Sequence, residues 1–498
     1  MTERPVARFN MHALLISTYE MGRQPFGLAS PAAWLRAAAW AVTCVDVTKD
    51  QLQDEVVSRV DLIGFHLPMH TATRLAAPII AKTRRLNPSA RTCAYGLYAP
   101  LNARWLRSLG VDDVLDGEFE EELTAIARAT AEPRTSGAGL RACDSDGGRK
   151  LCATNPALSA TAEPRTLPRL KFLVPDRSGL PPLDRYATLQ LGDGRRKVVG
   201  YTEASRGCRH MCRHCPVVPV YNGQFRVVQP DIVLADIAGQ VRQGAQHITF
   251  GDPDFFNGPT HGVRIVEALH NAHPTLTYDV TIKIEHLLVH RELLGRLRET
   301  GCLFVTSAVE SVDDLVLARL EKGHTRRDFV EAVGLCRDAG VTIVPTFVAF
   351  HPWLTLEGYC DLLDILEALD LIDHVAPIQL AIRLLIPEGS RLCELEEVRG
   401  LVGAFDPGTL TYRWTHADRR VEDLHRDVAA LVGTRLSGDR RAVFSEISDL
   451  AHERNRLEPG ALGVGPPRRE ESCVPRSVNA KPARDRTTVP YLNEPWYC

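Results

Sequence analysis

The sequence predicts an α/β chain built from two strand–helix domains in series. Three observations carry this. Short apolar runs alternate with helical patterns over residues 12–129. The same rhythm, with longer apolar runs, resumes at residue 198. Between them lies a polar stretch with no apolar period. At 498 residues the chain is long enough for two or three domains.

In the first domain the strands are read at residues 13–17, 42–47, 62–67, 92–97 and 113–115. Helical patterns fill the gaps at 31–39, 52–59, 70–86, 101–109 and 118–129. Strict alternation of this kind gives a doubly wound parallel sheet. Ligands of such sheets bind beyond the carboxyl ends of the strands, here residues 17–27, 66–69 and 95–100. No G-x-G-x-x-G follows the first strand, so a dinucleotide site is unsupported.

Residues 130–166 read as a disordered linker. They are rich in small residues, Pro and Arg, and the hexapeptide Thr-Ala-Glu-Pro-Arg-Thr occurs at both 130–135 and 161–166. Six βα units follow over 167–400, with strands at 198–204, 247–251, 278–284, 303–309, 342–350 and 375–385. Gly244, Gly301 and Gly340 stand where helices should end. Asp231, after Pro230, reads as an N-cap. Residues 401–464 hold two amphipathic patterns, 420–436 and 442–455, and form a small helical C-terminal region. Residues 465–498 read as a flexible, disordered tail ending in Cys498.

Composition narrows the function. Net charge is −3, with 44% hydrophobic and 24% charged residues, so there is no electrostatic footprint for nucleic acid. No run approaches the length of a membrane helix, and the first ten residues lack an apolar signal core. A cytoplasmic protein is expected. Its 13 cysteines suit metal or redox chemistry better than a disulfide framework.

Chemistry concentrates in one loop after the first strand of the second domain. Cys208, Cys212 and Cys215 stand in C-x3-C-x2-C spacing. Three thiolates can hold three irons of a 4Fe–4S cluster and leave the fourth iron open. A zinc site is the other use of such thiols, with His210 or His214 as fourth ligand.

The triplet is the signature of the radical S-adenosylmethionine (SAM) enzymes, and residues 168–395 resemble that superfamily. The resemblance implies an open (β/α)6 radical SAM barrel, a 4Fe–4S cluster with Cys208, Cys212 and Cys215 as its catalytic metal ligands, and SAM as cosubstrate. It also implies reduction by a carrier such as a flavodoxin or ferredoxin. Residues 12–129 resemble, in architecture and position, the cobalamin-binding domain ahead of many such barrels. The D-x-H-x-x-G signature is absent. The domain therefore either holds cobalamin as a further cofactor or serves as a scaffold, and with cobalamin the leading subtype is methyl transfer.

Strand ends supply further candidates. Gly251-Asp252-Pro253 resembles a variant of the family turn that receives the SAM amino group. Glu310 lies in Ser307-Ala308-Val309-Glu310-Ser311, followed by Lys322-Gly323-His324-Thr325. That order resembles a pattern of the cobalamin-linked branch, in which Glu310 would hold SAM hydroxyls or its amino group. Lys283 pairs either with the SAM carboxylate or with Glu310. Gln379 and Arg383, four apart on the sixth strand, would share its lumen face. Arg383 would then clamp a substrate carboxylate or phosphate, or pair within the barrel.

The ending Pro490-Tyr-Leu-Asn-Glu-Pro-Trp-Tyr-Cys498 resembles the CUAEP/CCAEP-tail radical SAM family. By that resemblance Cys498 is the first half of a Cys–selenocysteine pair whose second codon was read as stop; the alternative is a real terminus with an ordinary thiol. The expected function is reductive SAM cleavage and radical modification of an unidentified small molecule or peptide, with no nucleic-acid or membrane partner. The rival is a non-enzymatic iron–sulfur or zinc-binding redox or interaction protein.

Overall fold

The computed structural model describes residues 11–132, 169–435, 439–456 and 491–492. The linker beyond residue 132 and all of the tail except residues 491–492 lie outside these, as do Cys143, Cys152 and Cys498.

The first domain is a five-stranded parallel sheet. Its strands are β1 (His12–Ser17), β2 (Ala41–Asp46), β3 (Leu62–His66), β4 (Arg91–Tyr95) and β5 (Asp113–Val114), in the order β2-β1-β3-β4-β5. Side chains alternate between its faces. Leu14, Ile16, Ile63 and Phe65 enter one apolar core, and Ala13, Leu15, Leu62 and Tyr95 enter the other. Both faces are covered, as a parallel sheet requires. The order reverses between β1 and β3, which opens a crevice at their carboxyl ends.

The second domain begins with β6 (Thr188–Gln190), antiparallel to β7 (Arg196–Thr202). A short hairpin, β8 (Ser205–Gly207) with β9 (Phe225–Val227), interrupts the run. Parallel strands β10 (His247–Phe250), β11 (Thr277–Thr281), β12 (Cys302–Glu310) and β13 (Thr342–Phe347) complete a curled half-barrel, in the order β13-β12-β11-β10-β7-β6. Pro345 sits in β13, the edge strand, where a missing N–H is tolerated. A hairpin of two-residue strands, β14 (Phe405–Asp406) with β15 (Thr411–Tyr412), follows. The segment β16 (Tyr491–Leu492) then pairs antiparallel with β6.

Two expectations are corrected. The sixth barrel strand does not form: residues 372–374 and 377–380 are 3-10 turns, the second started by Pro377. Only a single bridge, Phe350 to Arg383, continues the sheet. Asp231 is not an N-cap. Gln229 holds that position with Pro230 at the first helical turn, and Asp231 lies inside that turn. The three glycines do end helices in the left-handed region, Gly244 at φ 97°, Gly301 at 102° and Gly340 at 68°.

The helices Arg419–Thr434 and Arg440–Arg456 bury Val421, Leu424, Phe444 and Ile447 in the barrel core. No helix among the described residues is long and apolar enough to cross a membrane.

Candidate functional site

The cysteine loop is a lobe pinched at its base. The β8–β9 hairpin closes residues 208–224 at the carboxyl end of β7. Gly207, the last residue of β8, has φ 75°, and a Cβ there would lie 2.4 Å from the Tyr221 ring and 2.5 Å from the Gln224 carbonyl. Only glycine fits this turn. Asn257 pins the first cysteine from outside: its Oδ1 accepts from the Arg209 N–H at 3.2 Å and lies 3.9 Å from Cys208 Sγ.

Cys208, Cys212 and Cys215 are unpaired and largely buried. Burial raises the Cys208 thiol and pushes that of Cys215 up to about 12, while Lys322 pulls the latter back. A metal that binds here must displace protons. Three neighbouring thiols on one loop with a lysine beside them suit a 4Fe–4S cluster with one open iron. Each loop histidine has one ring nitrogen engaged outside the cysteines. His214 Nε2 is 3.0 Å from Glu310, and His210 Nδ1 is 3.0 Å from Lys283 Nζ.

Glu310 ends β12 with φ 70°, beside an irregularity in the pairing with β13. A glutamate held in the left-handed region is strained, a state that clusters at functional sites. Its carboxylate accepts from His214 and, at 3.4 Å, from Lys322. Burial works to raise its pKa, but Lys322 and His214 overcome this and hold it at about 2. It is therefore a fixed anion next to the cysteine lobe.

The other sequence candidates lie as follows. Lys283 is bonded to Glu285 at 2.9 Å and to His210, and the cation beside Glu310 is Lys322 instead. Gly251 packs flat on Tyr201, where a Cβ would meet the phenol oxygen at 1.8 Å. Next to it, Asp252 is buried behind the turn and accepts from the Ala204 N–H at 2.9 Å and the Ser205 hydroxyl at 2.5 Å. It braces the root of the cysteine lobe, and burial pushes its pKa up to about 7. Pro253 lines the crevice between the two domains. Gln379 caps β13 by accepting from the Phe347 N–H at 3.1 Å. Arg383 forks onto Glu422 at 2.8 and 2.9 Å and stacks 3.7 Å from the Trp414 ring centre, so it anchors the C-terminal helices. Without a sixth strand, Gln379 and Arg383 do not share a strand face.

Sequence reasoning missed the joint between the domains. Arg206, two residues before Cys208, is buried against Glu118 and Glu120 of the first domain and Glu203 of the second, at 2.7–3.0 Å. Its guanidinium lies among the rings of Phe26, Phe119 and Phe172. Burial raises the Glu118 pKa to about 7, while Arg206 counters this and holds Glu120 low. The first domain thus grips the root of the cysteine lobe.

The crevice between the domains tests the cobalamin expectation. It is a cavity of about 210 Å³ lined by Glu20, His66, Phe119, Glu203, Arg206 and Tyr221, among others. Sites for drug-sized ligands run from about 300 Å³ upward, and a corrinoid is larger still. His66 fills the switch point: it bonds Glu20 at 2.6 Å and rests on Gly27, where a Cβ would lie 2.0 Å from the ring. As the crevice stands it is narrower than a corrinoid, and a cobalamin bound at this sheet edge would have to move His66 aside.

Comparison with known proteins agrees with the barrel. Residues 202–369 match the radical SAM superfamily model. Curated relatives include a tRNA-2-methylthio-N(6)-dimethylallyladenosine synthase of Pelodictyon phaeoclathratiforme, 26% identical over 222 residues, covering 40% of this chain and 49% of the relative. A second, of Chlorobium luteolum, is 29% identical over 216 residues, 39% of this chain and 47% of the relative. The chain spans about half the length of these relatives. Among solved structures, the radical SAM methyltransferase TsrM from Kitasatospora setae superposes with TM-score 0.62 at 19% identity, over 79% of this chain and 78% of that one. The cobalamin-dependent SAM radical enzyme OxsB superposes with TM-score 0.64 at 13% identity, over 90% and 72%. At these identities the likeness is one of fold. Residues 202–369 are a radical SAM domain, the catalytic domain of an enzyme superfamily, set in a chain folded like the cobalamin-dependent radical SAM enzymes.

Proposed function

We propose that this chain cleaves SAM reductively at a 4Fe–4S cluster and modifies a small-molecule or peptide substrate by hydrogen abstraction. When bound and reduced by one electron, the cluster with SAM supplies a 5′-deoxyadenosyl radical. The observation that carries the reading is the cysteine lobe. Its three thiols are unpaired and lie beside the fixed pair of Glu310 and Lys322. Cys208, Cys212 and Cys215 would hold three irons. Glu310, kept ionised by Lys322, would accept from SAM hydroxyls or its ammonium. The strand ends around the lobe would exclude water from the reacting atoms. A low-potential flavodoxin or ferredoxin is the implied reductant.

The fold likeness to TsrM and OxsB suggests methyl transfer, and a cobalamin would enter the crevice only with His66 displaced from the switch point. The tail resembling the CUAEP/CCAEP type would supply a redox or carrier thiol at Cys498, which a Cys498→Ser variant tests. The test of the main reading is anaerobic. Reconstituted protein with dithionite and SAM should yield 5′-deoxyadenosine, and the Cys208→Ala/Cys212→Ala/Cys215→Ala variant should yield none. Wild-type protein with a full iron count and no product would instead favour an electron-transfer role.

A further inference from the structure

A second group of ligating side chains stands at the barrel mouth, beside the cysteine lobe. His210 comes from the lobe, Asp254 from the turn after β10, and His286 from the helix Ile284–Val289 that follows β11. One ligating atom from each lies within 4.8 Å of the others. Asp254 Oδ2 is 2.7 Å from His286 Nδ1 and 3.6 Å from His210 Nε2. Yet all three atoms are shielded from solvent, and none makes a hydrogen bond of acceptable geometry. The Asp254 side chain is 2% exposed. Its other oxygen accepts from the Phe256 N–H, which aims Oδ2 at the two imidazoles. A buried carboxylate oxygen without a hydrogen bond is costly. A cation at the focus of the three atoms removes that cost.

We propose that His210, Asp254 and His286 bind one divalent transition cation of the zinc or ferrous class, separate from the cysteine cluster. Two imidazoles and a carboxylate suit these ions, and three protein ligands leave a position for water or substrate. Binding through Nε2 puts the remaining ring proton of His210 on Nδ1. Glu285 Oε2, 3.7 Å away, would have to close by about half an ångström to accept it, giving a carboxylate–histidine–metal arrangement. Lys283 donates to both groups in the ion-free state, at 3.0 Å to His210 and 2.9 Å to Glu285. It therefore opposes the ion, by charge and by favouring the other tautomer. The site fastens the cysteine lobe to the ends of two barrel strands and offers an electrophile at the barrel mouth.

The experiment uses the full chain with Cys208→Ala, Cys212→Ala and Cys215→Ala, so that no cluster iron is counted and the result does not depend on SAM cleavage. The protein is equilibrated with Co²⁺, gel-filtered and assayed for bound metal and visible absorption. One Co²⁺ per chain is expected, with ligand-field bands and no thiolate charge-transfer band. Adding Asp254→Asn or His286→Ala should weaken binding at least about tenfold, and adding Lys283→Met should tighten it. No retained Co²⁺ would overturn the proposal. So would equal retention in the Asp254→Asn and His286→Ala proteins, with circular dichroism confirming that both are folded.

Discussion

Replacing Arg206 with methionine should loosen the joint between the domains in a pH-dependent way. The substitution keeps an apolar stem among Phe26, Phe119 and Phe172 but leaves Glu118, Glu120 and Glu203 without their cation. Glu118 and Glu120 are fully buried, and Arg206 itself is 7% exposed. Removing one partner of a buried ionic group costs about 3–5 kcal/mol. Burial already raises Glu118 to about 7 with Arg206 in place, so the variant's carboxyls must titrate higher. An acid whose folded pKa lies above its unfolded value, about 4.3, binds more protons when folded. Its stabilising effect is complete below the unfolded pKa and is lost as pH rises through the folded one. The variant should therefore fall short of wild type by about 3–5 kcal/mol near pH 8 and by clearly less near pH 5.5. Urea unfolding followed by tryptophan fluorescence at the two pH values reads this directly. A deficit below about 1 kcal/mol, or one equal at both pH values, would refute the assignment of Arg206 as a buried charge hub.

Three further outcomes follow from the geometry. Asp252, with its pKa pushed up to about 7 by burial, costs stability as pH rises from its unfolded value to 7. Asp252→Asn should accordingly gain on wild type between about pH 5 and pH 8 in urea midpoint, and a pH-independent difference would contradict the buried carboxyl. Gly251→Ala places a methyl 1.8 Å from Tyr201 Oη and should lower stability by about 1–3 kcal/mol, with an unchanged melting temperature as the contrary result. Hydroxocobalamin mixed with the protein should separate on desalting. Retention of one corrinoid per chain would show that the crevice opens wider than its residues indicate.

Much of the fold was legible because its strands are apolar on both faces and its helices end in glycines. The sixth barrel strand was misread because residues 375–385 are as apolar as a strand, yet Pro377 starts a 3-10 turn there. At the site, cysteine spacing alone marked the lobe, and the motif around Glu310 already contained its cation, Lys322. Asp252 looked like a ligand because nothing in a Gly-Asp-Pro turn says which way the carboxyl points. It points back, to Ser205. The joint through Arg206 had no local signal at all, since its partners Glu118 and Glu120 are 88 and 86 residues away in the chain.

The pairing of Tyr491–Leu492 with β6 bears on how copies of this chain behave toward one another. Beyond β6 the half-barrel sheet would end in a row of free backbone donors and acceptors, a template for any extended strand that passes. Here the chain's own later segment occupies it, with Tyr491 opposite Gln190 and Leu492 opposite Leu189. Arg440 sits 4.8 Å from the Tyr491 ring centre and helps hold it there. Among the described residues, protection of this edge rests on Tyr491 and Leu492 and on one cation–aromatic contact. A truncation before residue 491 would leave Thr188–Gln190 as the bare margin of the sheet and shift the protein toward self-pairing.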